Sequence, residues 1–275
     1  IINIYLNDKL ISEISPLEGL HQEDLDTSYN FVNNFFKRNI QLIDHFKNSN
    51  MNNYNFKELY FGLTSNEPYI ENIPPSSIFA IELTFLNLLI TDNHLKNTTA
   101  LLDYNYDVEN NKNYTHVKIK IGRNSIENDK KKIDRYIKNT NYQLRLDGNN
   151  LFSSNQLVEL LNNIPKDRIQ YIEDPFISEQ EMNKFNKLMG ENYSLALDKN
   201  IFNLISKNEI SKNIKYGIIK PNLIGGISKT IELAEALKSK GINTVISSSF
   251  EGDAGIHGLN KIHFTFPDLF KHIPG

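Results

Sequence analysis

The sequence predicts an α/β protein with two architectures, an N-terminal segment of strands followed by helices and then a barrel of repeating β/α units. Three observations carry that expectation. From about Ala100 onward, short β-rich runs alternate with amphipathic helical stretches, the pattern of a parallel sheet wrapped by helices. Six of these runs end in chemically notable residues, Lys120, Asp147, Glu173, Asp198, Lys220 and Ser247, spaced 22 to 27 residues apart, one β/α unit each time. The stretch from Ile1 to about Ile90 lacks this alternation.

In chain order, INIYLNDKLISEIS reads as a short strand pair, and EDLDTSYNFVNNFFKRN and SSIFAIELTFLNLLI read as helices. The later strands are TALLDYN, HVKIKIG, YQLRLDGN, IQYIEDP, YSLALDKN, YGIIKPN and NTVISSSF, with helices such as SSNQLVELLNNI and SKTIELAEALKSKG between several of them. A doubly wound open sheet also alternates strands and helices, but it leaves strand-end residues along an edge or at one switch point. A barrel brings the C-terminal ends of all its strands to one mouth, so polar residues recurring there share a cavity.

The 275 residues suit one large domain or two small ones, and 39% apolar residues with 16 Phe supply a core. A net charge of -3 offers no broad positive field for nucleic acid or an anionic membrane, which leaves a small-molecule ligand as the expected partner. No apolar run reaches the roughly 18 to 20 residues needed to span a bilayer, and Ile1 to Ser15 is too polar and short for a secretion signal. A cytoplasmic protein is expected. With no cysteine, any metal must be held by oxygen or imidazole.

Asp147, Glu173 and Asp198 end three consecutive strands. Such neighbours repel unless a hard divalent cation takes their oxygens, and carboxylates with water are what Mg²⁺ or Mn²⁺ prefers. The plainer alternative is that each acid caps the following helix. Lys118 and Lys120 share one strand face, opposite Val117, Ile119 and Ile121, so they point either into the barrel or, on an edge strand, into solvent. Lys220 falls four units after Lys120, roughly across a barrel mouth, and a lysine near other cations can lose its proton at working pH and act as a base.

KIK, RLDGN, IEDP, LD and IKPN on successive strands resemble the enolase superfamily in order and spacing, and SEISPLEGL, Arg145 and SSSFEGDAG narrow the likeness to a hydro-lyase branch. The resemblance implies a modified TIM barrel, (β/α)7β-like, with an α+β capping domain. It implies a capping segment 1–95 that is incomplete at its start, a barrel 96–258 and a segment 259–275 returning toward the cap. By the same likeness, Asp147, Glu173 and Asp198 bind Mg²⁺, with Mn²⁺ able to substitute. Lys120 removes the proton α to the carboxylate of a small-molecule substrate, and Lys220 stabilises the enediolate.

Around this centre, Lys118 and Arg145 act as electrostatic support for base and substrate, or as charge balance for the acids. Asn149 belongs to the DGN motif and can orient the metal shell. Ser247, Ser248 and Ser249 can hold a substrate carboxylate or simply turn the chain. The Gly225-Gly226 pair admits a ligand close to the backbone or forms a turn before a helix. His116 and His257 have no partner pattern and read as structural. Lys199 stands where the superfamily usually has glutamate. Other members of the superfamily, racemases, epimerases and cycloisomerases, share the metal and the lysines, and a non-catalytic binding barrel is the remaining alternative.

Overall fold

The computed structural model describes residues 1–41, 73–90, 101–102, 114–199, 201–206 and 210–275. Its contacts divide the chain into two compact units that interleave in sequence. The first is 1–97, 219–235 and 246–270; the second is 98–218, 236–245 and 271–275.

The first unit begins with an antiparallel hairpin of β1 (Ile2–Leu6) and β2 (Lys9–Ile14). Its turn residues Asn7 and Asp8 have φ of 49° and 63°, the left-handed pair that matches the twist of a two-residue hairpin. Helix α1 (Leu25–Arg38) starts at Asp24, whose side chain accepts from Thr27 N at 2.7 Å. Helix α2 (Pro75–Leu89) has proline in its first turn and is apolar almost all round, with Phe79, Ala80, Leu83, Phe85 and Leu86 fully buried. Small hydroxyls let the chain close on it, Ser12 Oγ donating to Ala80 O at 2.7 Å and Ser28 Oγ meeting Ser76 Oγ at 2.9 Å.

Glu82 is the charged exception within α2, and it is fully buried. Its carboxyl accepts from Ile227 N, from Ser228 N at 3.1 Å and from Ser228 Oγ at 2.6 Å, serving the orphan amides of helix α8 (Ile227–Ser239). Burial pushes the carboxyl up to about 7, against the pull of the Ser228 and Ile227 donors and of Lys229. Gly226, at φ 98°, is the residue beside this carboxyl: a Cβ there would meet Glu82 Oε2 and come within 2.9 Å of Ile78 Cγ2. The glycine pair is therefore a turn before a helix, and Gly226 is small because a buried carboxylate lies against it. The unit is completed by the single-turn helix α7 (Pro221–Ile224) and helix α9 (Asp253–Thr265), where Gly258 packs against Leu83.

The second unit carries one sheet whose strands lie in sequence order. These are β3 (Leu101–Leu102), β4 (His116–Lys120), β5 (Gln143–Asp147), β6 (Ile169–Glu173), β7 (Leu195–Leu197), β8 (Ile214–Ile219) and β9 (Asn243–Ile246). Register is parallel from β3 through β8, as consecutive β/α units require. The rest of the TALLDYN run lies outside the described residues. Val117, Ile119 and Ile121 are fully buried opposite the two lysines of β4. Tyr171, Ala196, Ile218 and Val245 pack together, with Tyr216 against them.

The intervening helices are α3 (Ile126–Asn139), α4 (Ser154–Leu161), α5 (Glu179–Met189) and α6 (Ile201–Ser206). Ser125, Ser153 and Ser178 cap the first three, with a full capping box between Ser153 and Gln156. Serines, not Asp147 or Glu173, therefore serve the helix starts that follow β5 and β6.

Two outcomes test the Glu82 arrangement. Gly226→Ala is expected to destabilise the protein by about 2 kcal/mol through left-handed strain and displacement of Glu82, measured by urea unfolding. Because the folded-state pKa of Glu82 lies above its ordinary 4.5, this group's favourable contribution is fully present below about 4.5 and is lost as pH rises through about 7. Glu82→Gln should flatten that part of the stability profile; an unchanged slope would place the titration elsewhere.

Candidate active site

Strand alternation explains why the chemistry gathers at one level of the second unit. Glu173 and Asp198 each come two residues after a member of the packed cluster, Tyr171 and Ala196, and therefore project to the same side one layer further along. Parallel register sets Lys118 opposite Arg145, Lys120 opposite Asp147 and Asp147 opposite Glu173.

Lys118 is the residue that joins the acids. Its ammonium lies 2.7 Å from Glu173 Oε1 and 3.2 Å from Asp147 Oδ2, with its side chain 12% exposed. Burial pulls its pKa down, but Glu173 and Asp147 outweigh this and hold it above the ordinary lysine range. Glu173 nevertheless has its carboxyl pushed up to about 7, by burial first and then by Asp147 and Asp198 against the pull of Lys118. Glu173 Oε2 is buried without a hydrogen-bond partner.

The ends of β5 and β6 are tied together by backbone. Gly148 N donates to Glu173 O at 2.9 Å, Asn150 N to Asp174 O at 2.6 Å and Phe152 N to Pro175 O at 2.9 Å. A Cβ at Gly148 would come within 2.6 Å of Pro175 Cα, so RLDGN needs its glycine for this approach. Asn149, at φ 48°, meets Asp147 Oδ1 through its backbone N at 3.3 Å, while its side-chain nitrogen is buried without a partner. Asp174, buried at the end of β6, was not foreseen from sequence. Its two oxygens accept from Asp198 N at 3.3 Å and Lys199 N at 3.0 Å. The second acid of IEDP was the available signal.

Arg145 has partners other than the acids. It is fully buried, donating from Nε to Gln170 Oε1 at 2.7 Å and from Nη2 to Ile273 O at 2.9 Å, with its guanidinium over the Tyr171 ring at 5.4 Å. His272 joins the same group through Gln170 at 3.1 Å and edge-on to Tyr216. Burial, Arg145 and His272 together push His116 down to about 4.

The remaining expected residues belong to the first unit. Lys220 precedes α7, and its carbonyl accepts from Leu223 N and Ile224 N, both at 3.0 Å. Ser247 N donates to Ile219 O at 2.8 Å. Ser248 and Ser249 are bound up with Glu251: Ser248 Oγ donates to it at 2.6 Å, Ser249 N at 2.7 Å and Ser249 Oγ at 2.6 Å. Glu251 is a second residue that sequence reasoning passed over, although it stands inside SSSFEGDAG.

Among the described residues, no three His, Cys, Asp or Glu side chains stand close enough together to hold a metal ion. Two of the expected ligands are instead drawn onto Lys118. The donor chemistry still fits a hard divalent cation, since it consists of carboxylate oxygens and includes one buried oxygen lacking a partner.

Residues 105–266 match the family described as Enolase C-terminal domain-like. With that match over most of the chain and the consecutive parallel strands in place, the protein belongs to the enolase superfamily, with its modified TIM barrel and capping domain. An o-succinylbenzoate synthase from Aliivibrio fischeri (strain MJ11) is 29% identical over 122 residues, which is 43% of this chain and 37% of that protein. The match thus spans well under half of that relative's length. The crystal structure of MenC from Desulfotalea psychrophila LSv54 has a TM-score of 0.68 at 16% identity, covering 96% of this chain and 83% of that one. A dipeptide epimerase from Enterococcus faecalis V583, complexed with Mg and dipeptide L-Leu-L-Tyr, has a TM-score of 0.64 at 16% identity, covering 91% and 74%. No helix among the described residues is long and apolar enough to cross a membrane.

Lys118→Met should destabilise the fold by about 3 to 5 kcal/mol, because it strands two buried carboxylates. Adding Glu173→Gln should recover part of that loss. Urea unfolding of the single and double variants checks this, and equal midpoints for Lys118→Met and the parent would mean the acids do not depend on Lys118.

Proposed function

We propose that the protein is an o-succinylbenzoate synthase, converting 2-succinyl-6-hydroxy-2,4-cyclohexadiene-1-carboxylate into 2-succinylbenzoate and water, a step of menaquinone biosynthesis carried out in the cytoplasm. The observation that carries this reading is the carboxylate group at the strand ends, Asp147 and Glu173 on Lys118 with Asp198 bearing on Glu173. The A. fischeri relative of that name supports the choice of reaction.

Asp147, Glu173 and Asp198 would hold Mg²⁺ or Mn²⁺, which when bound supplies a Lewis acid for the substrate carboxylate as a second negative charge develops on it. Lys120, as the neutral amine, takes the proton from the carbon bearing that carboxylate. The same Nζ then returns a proton to the departing hydroxide on the same face, so water leaves and the ring becomes aromatic. Lys220, as an ammonium, stabilises the enediolate between these steps. Lys118 lies between Asp147 and Glu173 and offsets part of the burial cost of the Glu173 carboxylate. Ser247, Ser248 and Ser249 would offer small polar groups to the succinyl carboxylate, with Glu251 setting the direction of the last two.

A second reading, epimerisation of a dipeptide or racemisation of an N-succinylamino acid, draws on the epimerase's TM-score of 0.64 beside 0.68 for MenC. Racemisation must deliver a proton to the opposite face, which recruits Lys220 as an acid/base, whereas syn elimination needs one face only.

The test pairs ultraviolet detection of the aromatic product with polarimetry on enantiopure succinylamino acids. Dehydration is expected to show much the higher kcat/KM, to vanish in excess chelator and to return with Mg²⁺ or Mn²⁺. Lys120→Ala is expected to lower turnover by at least about 10²- to 10⁴-fold and to stop solvent deuterium exchange into a substrate analogue. Lys220→Arg should retain more dehydration than racemisation. Preferred racemisation by the parent would favour the second reading, and full turnover in chelator would end the metal assignment.

A further inference from the structure

We propose that Asp174 is a positioning residue for Asp198, holding the backbone on both sides of that residue's Cα so that its carboxylate is aimed at a divalent cation. This deepens the assignment of Asp198 as a ligand and rests on it.

The argument begins with how Asp174 is placed. It follows Glu173 directly at the end of β6, is 5% exposed and has φ 37°, a left-handed conformation that a non-glycine residue adopts at a cost. Its backbone is fixed on both sides, with N donating to Ala196 O at 2.9 Å and O accepting from Asn150 N at 2.6 Å. Both carboxylate oxygens then accept from the next strand's exit, Oδ1 from Asp198 N at 3.3 Å and Oδ2 from Lys199 N at 3.0 Å.

These two amides straddle one Cα. The N–H of Asp198 belongs to the peptide plane before that Cα and the N–H of Lys199 to the plane after it, so one rigid carboxylate restrains both φ and ψ of Asp198. With both torsions restrained, the direction of its Cα–Cβ bond follows. Strand pairing stops short of Asp198, because β7 is three residues long and ends at Leu197, while the Asp198 carbonyl accepts from Ile201 N at 3.4 Å. The hold on position 199 is through backbone, so it does not depend on the side chain there. Lys199, exposed and lacking the acid expected at that position, is therefore compatible with a well-directed Asp198. Outer hydrogen-bond partners of this kind typically contribute about 10- to 100-fold in metal affinity.

The experiment measures the Mn²⁺ dissociation constant by electron paramagnetic resonance on the full chain for the parent, Asp174→Asn, Asp174→Ala and Asp198→Asn. Thermal midpoints in metal-free buffer are taken alongside. Asp174→Ala is expected to weaken Mn²⁺ about 10- to 100-fold. Asp174→Asn should fall between it and the parent, since the amide keeps one acceptor and turns its NH₂ toward the other N–H. If Asp174→Ala does not fold, Asp174→Asn carries the comparison. Gly226→Ala, destabilised in the other unit, should bind Mn²⁺ as the parent does; equal weakening there would reduce the Asp174 effect to lost stability and overturn the proposal. Parent-like Mn²⁺ binding by the Asp174 variants while Asp198→Asn weakens it would overturn positioning alone. Parent-like binding by Asp198→Asn would overturn the ligand assignment, and positioning with it.

Discussion

The ammonium of Lys118 between Asp147 and Glu173 is the interaction on which the second unit's strand-end chemistry depends. Three neighbouring parallel strands bring acidic side chains to one level because each ends its β/α unit with an acid of the same parity. Removing one partner of a buried ion pair typically costs several kcal/mol, so these acids need a cation among them. Lys118 supplies one charge from the adjacent strand, reaching from the level of Arg145 to that of Asp147. It leaves Glu173 with a raised carboxyl and an oxygen without a partner. That unpartnered oxygen is what would favour a divalent cation.

Around that pair, the sheet is arranged so that direction is set locally and chemistry is shared across strands. Serine caps begin the helices, which leaves the acids after β5 and β6 available. Gly148 permits the close approach of Pro175, and the backbone bonds it allows lock the ends of β5 and β6 in step. In the first unit, Glu82 is likewise a buried acid that backbone amides hold in place. It is a buried carboxyl whose reason for being buried is the amide pair at the start of α8.

Much of this was legible in the sequence, for identifiable reasons. The two-residue spacing of Lys118 and Lys120 placed both on one face, and the opposite face is buried as strand periodicity requires. The recurrence of acids at one β/α period gave the sheet its order before any contact was known. What was not legible depends on partners far away in the chain. Arg145 reads as support for base and substrate or as charge balance for the acids, and its Nε and Nη2 donate to Gln170 and to the carbonyl of Ile273, 128 residues on. Glu82 looked like one acid in an apolar helix, and only the fold shows Ser228 against it, 146 residues away. Asp174 and Glu251 were closer to reach. Both sit inside the IEDP and SSSFEGDAG motifs, and the sequence does not reveal which of two adjacent acids accepts from the next strand's exit.

The proposed role of Asp147, Glu173 and Asp198 is to hold a divalent metal, taking up the buried Glu173 oxygen that has no partner. Calorimetric titration with Mg²⁺ in two buffers of different ionisation enthalpy tests it most directly, because it reads affinity, stoichiometry and protons released together. The expected result near neutral pH is one site per chain with net proton release, both strongly reduced in Glu173→Gln. No saturable Mg²⁺ binding by the parent, or binding that Glu173→Gln leaves unchanged, would contradict it.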